Sequence, residues 1–299
     1  MNKMVRSEFR IIIGFILILS FFCGCVNQNQ DNIKTGIPTG LYVSSSGEKE
    51  FTSIQDAIDQ ALENQTVYVF PGIYQETINI NKTINLMGHD PETTIIDGNN
   101  SDNVITITDA EFCNVTGFTI QHSSSKGSGI NLNGPNNNVS NNIIKNNDKG
   151  IYCISKNHNL FFNNTLLSNE QYGMYILNSN YNTIKKNDLN HNLYGIRIKG
   201  SRHNSVVNNN FKDNYRGLYF CCGGTSNIIY YNTFVNNSVW NANDGVGGNT
   251  WHNEENFKGN YWDDYTGLDE DKDGIGDTPY IITSYQSRKD NYPLMEPWP

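Results

Sequence analysis

The chain has 299 residues, with 21 Lys and Arg against 30 Asp and Glu, a formal charge of -9. That acidic balance excludes nucleic acid as a partner, because phosphate binding needs clustered cations. Only 17% of the residues are charged while 48 are Asn, and 12% are aromatic; the first two figures argue against a helical protein and the third against a disordered one.

At the N-terminus, Lys3, Arg6 and Arg10 precede an apolar run from Ile11 to Phe22. The run is short for a membrane span and has the layout of a secretory signal. It ends in Phe22-Cys23-Gly24-Cys25. A small residue before a Cys at this place resembles a lipobox, which implies Cys25 as the lipidated first residue of an exported chain held on the outer face of the cytoplasmic membrane; the alternative is an uncleaved segment that serves as a plain anchor. Residues 1–25 are thus read as signal, and the polar, Asn/Gln-rich residues 26–38 as a tether. Without residues 1–24 the chain carries 18 bases against 29 acids.

Residues 39–240 are read as one domain. Ser53 to Leu62 is an amphipathic helix with Ile54, Ala57, Ile58 and Ala61 on one face. Short strand-like runs follow at Thr66–Phe70, Glu76–Ile80, Thr83–Met87, Thr94–Ile96, Val104–Ile107 and Phe118–Ile120. Beyond them the chain repeats. Asn137, Asn159, Asn182, Asn204 and Asn227 are spaced by 22 or 23 residues, and further Asn stand five and ten residues after each. Apolar columns run alongside, Val139, Phe161, Ile184, Val206 and Ile229 in one and Ile144, Leu166, Leu189, Phe211 and Phe234 in another. Gly150, Gly173, Gly195 and Gly217 each open a third stretch of alternating apolar residues.

A 22 to 23 residue unit with three short strands, none able to bury its apolar face alone, predicts an all-β fold, a single-stranded right-handed parallel β-helix. Coils stack at about 4.8 Å, so equivalent residues form ladders. The Asn columns are expected to occupy the left-handed corners and to hydrogen-bond from coil to coil. The helix is expected to cap the open N-terminal end. Residues 241–299 are expected to form an irregular C-terminal cap in which Trp251, Tyr261, Trp262 and Tyr265 cover the last coil.

The segment from Phe51 to Gly88, with SIQDAIDQA, VYVFPGIYQETINI and TINLMG, resembles the start of the pectin-lyase-like superfamily. The Asn-rich coils with GNYWDDYTG, DEDKDGIGDTPY and DNYPLM resemble NosD-type β-helix proteins, many of them archaeal surface proteins. The resemblance covers residues 40–299. It implies the fold, but leaves a binding module, a polysaccharide lyase or hydrolase, and a copper-binding accessory protein all open, since one fold hosts many functions.

Three groups of residues bear on that choice. Asp269, Asp271, Asp273, Ile275 (through its carbonyl) and Asp277 follow the spacing of a calcium loop with Gly274 at the turn. Tyr280 stands where a bidentate Glu is usual, leaving a place for water, Asp263 or Asp264. Tyr152, Tyr175, Arg197 and Tyr219 lie two residues after the ladder glycines, with Lys199 on the same face. An aromatic stripe with cations suits a polysaccharide or envelope glycan, with sugar rings stacking on the tyrosines. Cys221 and Cys222 form a vicinal pair fit for a soft metal or a strained disulfide. The remaining soft donors are scattered, and His158 and His203 stand two coils apart, about 9.6 Å, with Tyr181 between them. No pair of carboxylates shares a column. The balance favours a calcium-stabilised, non-catalytic carbohydrate-binding or envelope-adhesion module, with no catalytic residue assigned.

Overall fold

The structure is a computed structural model and describes residues 40–282 and 288–299. Residues 1–39, with the signal, Cys25 and the tether, lie outside the described residues. Pro38–Pro299 forms one compact unit.

Short strands wind into a solenoid of nine coils, because one sheet holds nine strands contributed one per turn, from Leu41–Val43 to Ile228–Tyr230. All of its pairings are parallel and in register, as in Val139, Phe161, Ile184, Val206 and Ile229. The other strands of each coil belong to a fifteen-stranded sheet. Two long strands, Thr94–Thr108 and Thr119–Asn133, run through a corner there and join faces that later coils keep separate. The predicted strands at Thr94–Ile96 and Val104–Ile107 are therefore halves of one. The column residues point inward and are fully buried. Like residues stack along the axis: the rings of Phe211 and Phe234 lie 4.7 Å apart, and Trp262 continues the stack 4.4 Å beyond.

The helix spans Ile54–Gln60, with Ile54, Ala57 and Ile58 buried. Its first turn is held by two side chains. Ser53 Oγ accepts from Asp56 N, while Glu76, a coil away, accepts from the backbone N–H groups of Ile54 and Gln55 at 2.9 and 3.0 Å. This meets the unpaired donors of a helix start. At the other end Trp251 and Trp262 are 1% exposed, Trp251 meeting Phe220 edge-on and Tyr280 stacking on Trp262 at 4.2 Å.

The Asn columns form ladders, but not at the left-handed positions. In all fifteen cases the residue with positive φ is the one just before the ladder Asn, for example His158, Asn163 and Ser168. That residue turns the corner, and the Asn after it faces inward, buried in every case but Asn237. Asn164 shows the geometry. Its backbone N–H and its Nδ2 both donate to Asn187 Oδ1 at 3.0 Å, and Nδ2 also reaches Val139 O at 2.9 Å. Every step runs the same way, from donor in one coil to acceptor in the next.

The last amide of each ladder has donors that need an acceptor, and each one finds a carboxylate. Asn249 Nδ2 donates to Asp244 Oδ1 at 3.1 Å. Asn260 donates to Asp290 Oδ2 from its backbone N–H at 2.7 Å. The third ladder passes from Asn237 to Asn241, whose Nδ2 reaches Asp263 Oδ1 and Asp264 Oδ1, each at 2.9 Å. Asp290 is wholly buried and also accepts from Trp262 Nε1 at 3.1 Å and from Tyr292 N at 3.0 Å; burial pushes its carboxyl up to about 6.

Candidate functional site

The six-residue strands that follow the third Asn corner carry the outward stripe. Ladder register places Tyr152, Tyr175, Arg197 and Tyr219 side by side, with Lys199 one column over between Leu177 and Cys221. A second outward column, Lys149, Tyr172, Tyr194 and Arg216, lies beside it. The sequence reading missed this column, although its signal was present, since each member immediately precedes a ladder Gly. Trp240 completes the surface, 5.7 Å from Tyr219 and 6.1 Å from Tyr194.

The rings stack on one another. Tyr152 and Tyr175 are 5.4 Å apart at 25°, and Tyr172 and Tyr194 are 5.4 Å apart at 30°. Arg197 is inserted among them, 5.4 Å from the ring of Tyr175 and 5.8 Å from that of Tyr219, and donates to Tyr172 Oη at 2.9 Å. Ring faces are thus turned to their neighbours along the axis. The phenol oxygens of Tyr152, Tyr175, Tyr194 and Tyr219 have no hydrogen-bond partner among the described residues and are not enclosed. Burial of the rings pushes the Tyr152, Tyr175 and Tyr219 phenols above their ordinary range, so they remain protonated donors. The strip therefore offers a row of hydroxyls and ring edges rather than open ring faces.

Its charge is distinctive. Lys149 pairs with the buried Asp148. Arg197, Lys199 and Arg216 form no ion pair among the described residues. Arg216 lies instead over the rings of Tyr194 and Tyr215, at 5.0 and 4.8 Å. A lyase would need a carboxylate beside its base; among the described residues Arg197, Lys199 and Arg216 have none in contact, and the one such pair on the strip, Lys149 with Asp148, has its carboxylate buried. Elsewhere Asp97 accepts from Gln121 Nε2 and meets His122 Nδ1, both at 2.9 Å.

Cys221 is buried and Cys222 exposed, and both are free thiols. Burial pushes the Cys221 thiol up, and an Arg197 guanidinium nitrogen sits 3.7 Å from its sulfur. A fixed cation in contact with the sulfur opposes a second, metallic one. Cys113 and Cys153 are core residues, the latter pushed up to about 12 by burial. His158, Tyr181 and His203 form a continuous ring stack, with centroids 5.2 and 5.0 Å apart. The described soft donors therefore do not fit copper, which needs several converging on one point.

Oxygen donors do converge. Asp269, Asp271 and Asp273 place one carboxylate oxygen each within 4.8 Å of one another, near the surface. Asx-type bonds shape the loop: Asp269 accepts from Asp273 N and Gly274 N, and Asp273 accepts from Ile275 N at 2.8 Å. Asp277 is not part of the triad and accepts from Glu270 N at 2.9 Å. Asp263 and Asp264, expected as candidates for the vacant position, are instead committed to the end of the third ladder. A cleft of about 480 Å³ borders the loop, with Asp271, Asp273 and Asp277 on one side and Phe257 and Tyr292 among its other walls.

The solenoid is similar to solved β-helix structures. Pectin methylesterase from carrot matches with a TM-score of 0.54 at 11% identity, over 76% of this chain and 82% of the other. The Escherichia coli protein ybhc matches with a TM-score of 0.50 at 12% identity, over 73% and 77% of the two chains. At these identities the likeness establishes the pectin-lyase-like fold. No curated protein matches the chain in sequence. Among the described residues no helix is long and apolar enough to cross a membrane. Residues 58–267 match the family described as "Periplasmic copper-binding protein (NosD)", a description that supports export of the chain. The match runs through nearly the whole solenoid and into the C-terminal cap, and the chain belongs to the NosD family.

Proposed function

We propose that this exported β-helix protein binds an acidic polysaccharide of the cell envelope along its tyrosine and arginine strip, without cleaving it. The observation that carries the reading is a line of three cations without ion-pair partners, Arg197, Lys199 and Arg216, set among phenol hydroxyls on a chain of net charge -9. Uronate or sulfate groups spaced along a glycan complement such a line, and neighbouring hydroxyls suit the phenols. Chemistry on the bound chain would need a carboxylate beside the bases, which favours binding alone. In this reading the Asp269, Asp271 and Asp273 loop takes up calcium as a structural ion, at the modest affinity of an extracellular site, and lipid on Cys25 holds the protein at the membrane.

The test is retention of the full chain on immobilised polyuronate and on an uncharged glucan. Retention on the acidic matrix is expected, decreasing with salt and lost in the Lys199→Ala, Arg216→Ala double variant. Equal elution from both matrices, or unchanged retention of the double variant, would sink the proposal.

A further inference from the structure

A second groove lies on a different edge of the solenoid, where the C-terminal residues fold back over two successive corners. Its volume is about 430 Å³, within the range of small-ligand sites. One wall is made by the exposed edges of two coils, with Lys186 and Asp188 from one and Asn208 and Asn210 from the next, Asp188 and Asn210 being register partners. The other wall is apolar, made by Pro297 and Trp298. Trp298 is fixed there by Tyr231, whose ring stacks on it at 3.8 Å and 14°, and by Lys258 Nζ, 5.3 Å from its centroid.

The polar wall differs from the buried ladders beneath it. Ladder asparagines use both ends of their amides within the protein, as Asn187 and Asn209 do directly beneath this groove. By contrast, the side chains of Lys186, Asp188, Asn208 and Asn210 have no hydrogen-bond or ion-pair partner among the described residues. Four polar groups with unused donors and acceptors thus face an aromatic and proline wall across a gap of ligand size.

We infer that this groove is a saccharide subsite for a neutral pyranose, separate from the strip. A pyranose has the matching division, C–H groups on one face and hydroxyls around its rim. Its C–H face suits Pro297 and Trp298, and vicinal hydroxyls suit the amides of Asn208 and Asn210, each able to donate and accept at once. The class is neutral because the lining side chains carry one cation, Lys186, and one carboxylate, Asp188, and so no net side-chain charge that would favour a uronate. This inference does not depend on the strip. If both hold, one glycan family is gripped by charge on one face of the protein and another by stacking at this edge.

The experiment is calorimetric titration of the full chain with neutral di- and tetrasaccharides of glucose, mannose and N-acetylglucosamine. At least one is expected to bind, and to weaken about tenfold in Trp298→Ala and severalfold in Asn210→Ala, with Arg216→Ala unchanged. Asn210 is half-exposed on an outward strand position, so its truncation leaves the core intact. The inference is overturned if none of the sugars binds up to about 10 mM. It is equally overturned if both groove variants bind like the parent, or if Arg216→Ala abolishes the binding.

Discussion

The one-way ladders make a quantitative prediction at Asn187, whose side chain is 1% exposed. Its Oδ1 accepts from Asn164 N and Nδ2, both at 3.0 Å, and its Nδ2 faces three acceptors: Phe161 O, Lys185 O and Asn209 Oδ1 at 2.9, 3.1 and 2.9 Å. Asn187→Ala leaves the buried Asn164 N–H without an acceptor and removes two donated bonds, for a loss of about 3 to 4 kcal/mol. Asn187→Asp keeps the shape and the accepting oxygen but turns a second oxygen toward three acceptors. The introduced carboxyl is tolerable only when protonated. Holding a proton at pH 7 on a group of ordinary pKa about 3.9 costs about 4 kcal/mol, and the missing hydrogen adds about 1 to 2. The isosteric change is therefore the worse one at pH 7, by about 1 to 3 kcal/mol. The native carboxyl has a raised pKa, so its handicap grows as pH rises above the unfolded value and shrinks on acidification. At pH 5 the loss in Asn187→Asp relative to the parent falls to about 3 kcal/mol, whereas that of Asn187→Ala stays constant. Urea unfolding of the parent and both variants at the two pH values measures this. A milder effect of Asp than of Ala at pH 7, or an Asp penalty independent of pH, would refute the polarity assigned to the ladder.

Asp290, raised by burial to about 6 from 3.8, keeps a proton in the native state that the unfolded chain has released between those values. Stability therefore falls as pH rises through that window, by up to about 3 kcal/mol, and Asp290→Asn flattens this part of a urea-midpoint profile. Gly150 is so close to the next coil that a Cβ would stand 2.4 Å from Gly173 O; Gly150→Ala should cost about 2 to 4 kcal/mol and lower Tm by several degrees, and an unchanged Tm would contradict the packing. Millimolar calcium should raise Tm in the parent but not in Asp271→Asn, and a Tm indifferent to calcium and chelator removes the ion from the loop.

The β-helix was legible because burial and stacking impose a strict period, and fifteen Asn in three columns are visible without a structure. Which residue turns the corner was not legible. The positions before the ladder Asn hold Asn, His, Tyr, Ser, Lys and Asp in mixed order. The left-handed turn selects a conformation that each of these can bear once the following amide is pinned, so no single residue type forms a column. The tyrosine stripe was legible from alternation, whereas the neighbouring column of Lys149, Tyr172, Tyr194 and Arg216 mixes two chemistries. The roles of Asp263, Asp264 and Asp290 were hidden for another reason. They arise where the chain folds back on the last coil from 22 to 30 residues away, a return that no local spacing encodes.

A parallel solenoid exposes the same hazard at each end as the edge of any sheet, a template on which a second copy can be added. The carboxylates that close the three ladders bear directly on this. A second molecule docked on the C-terminal face would have to offer amide oxygens to Asn249, Asn260 and Asn241, whose donors are already taken by oxygens that carry charge. The head of one molecule therefore finds no receptive tail on another. Four aspartates thereby close the ladder ends on which a further copy of this asparagine-rich chain would otherwise stack.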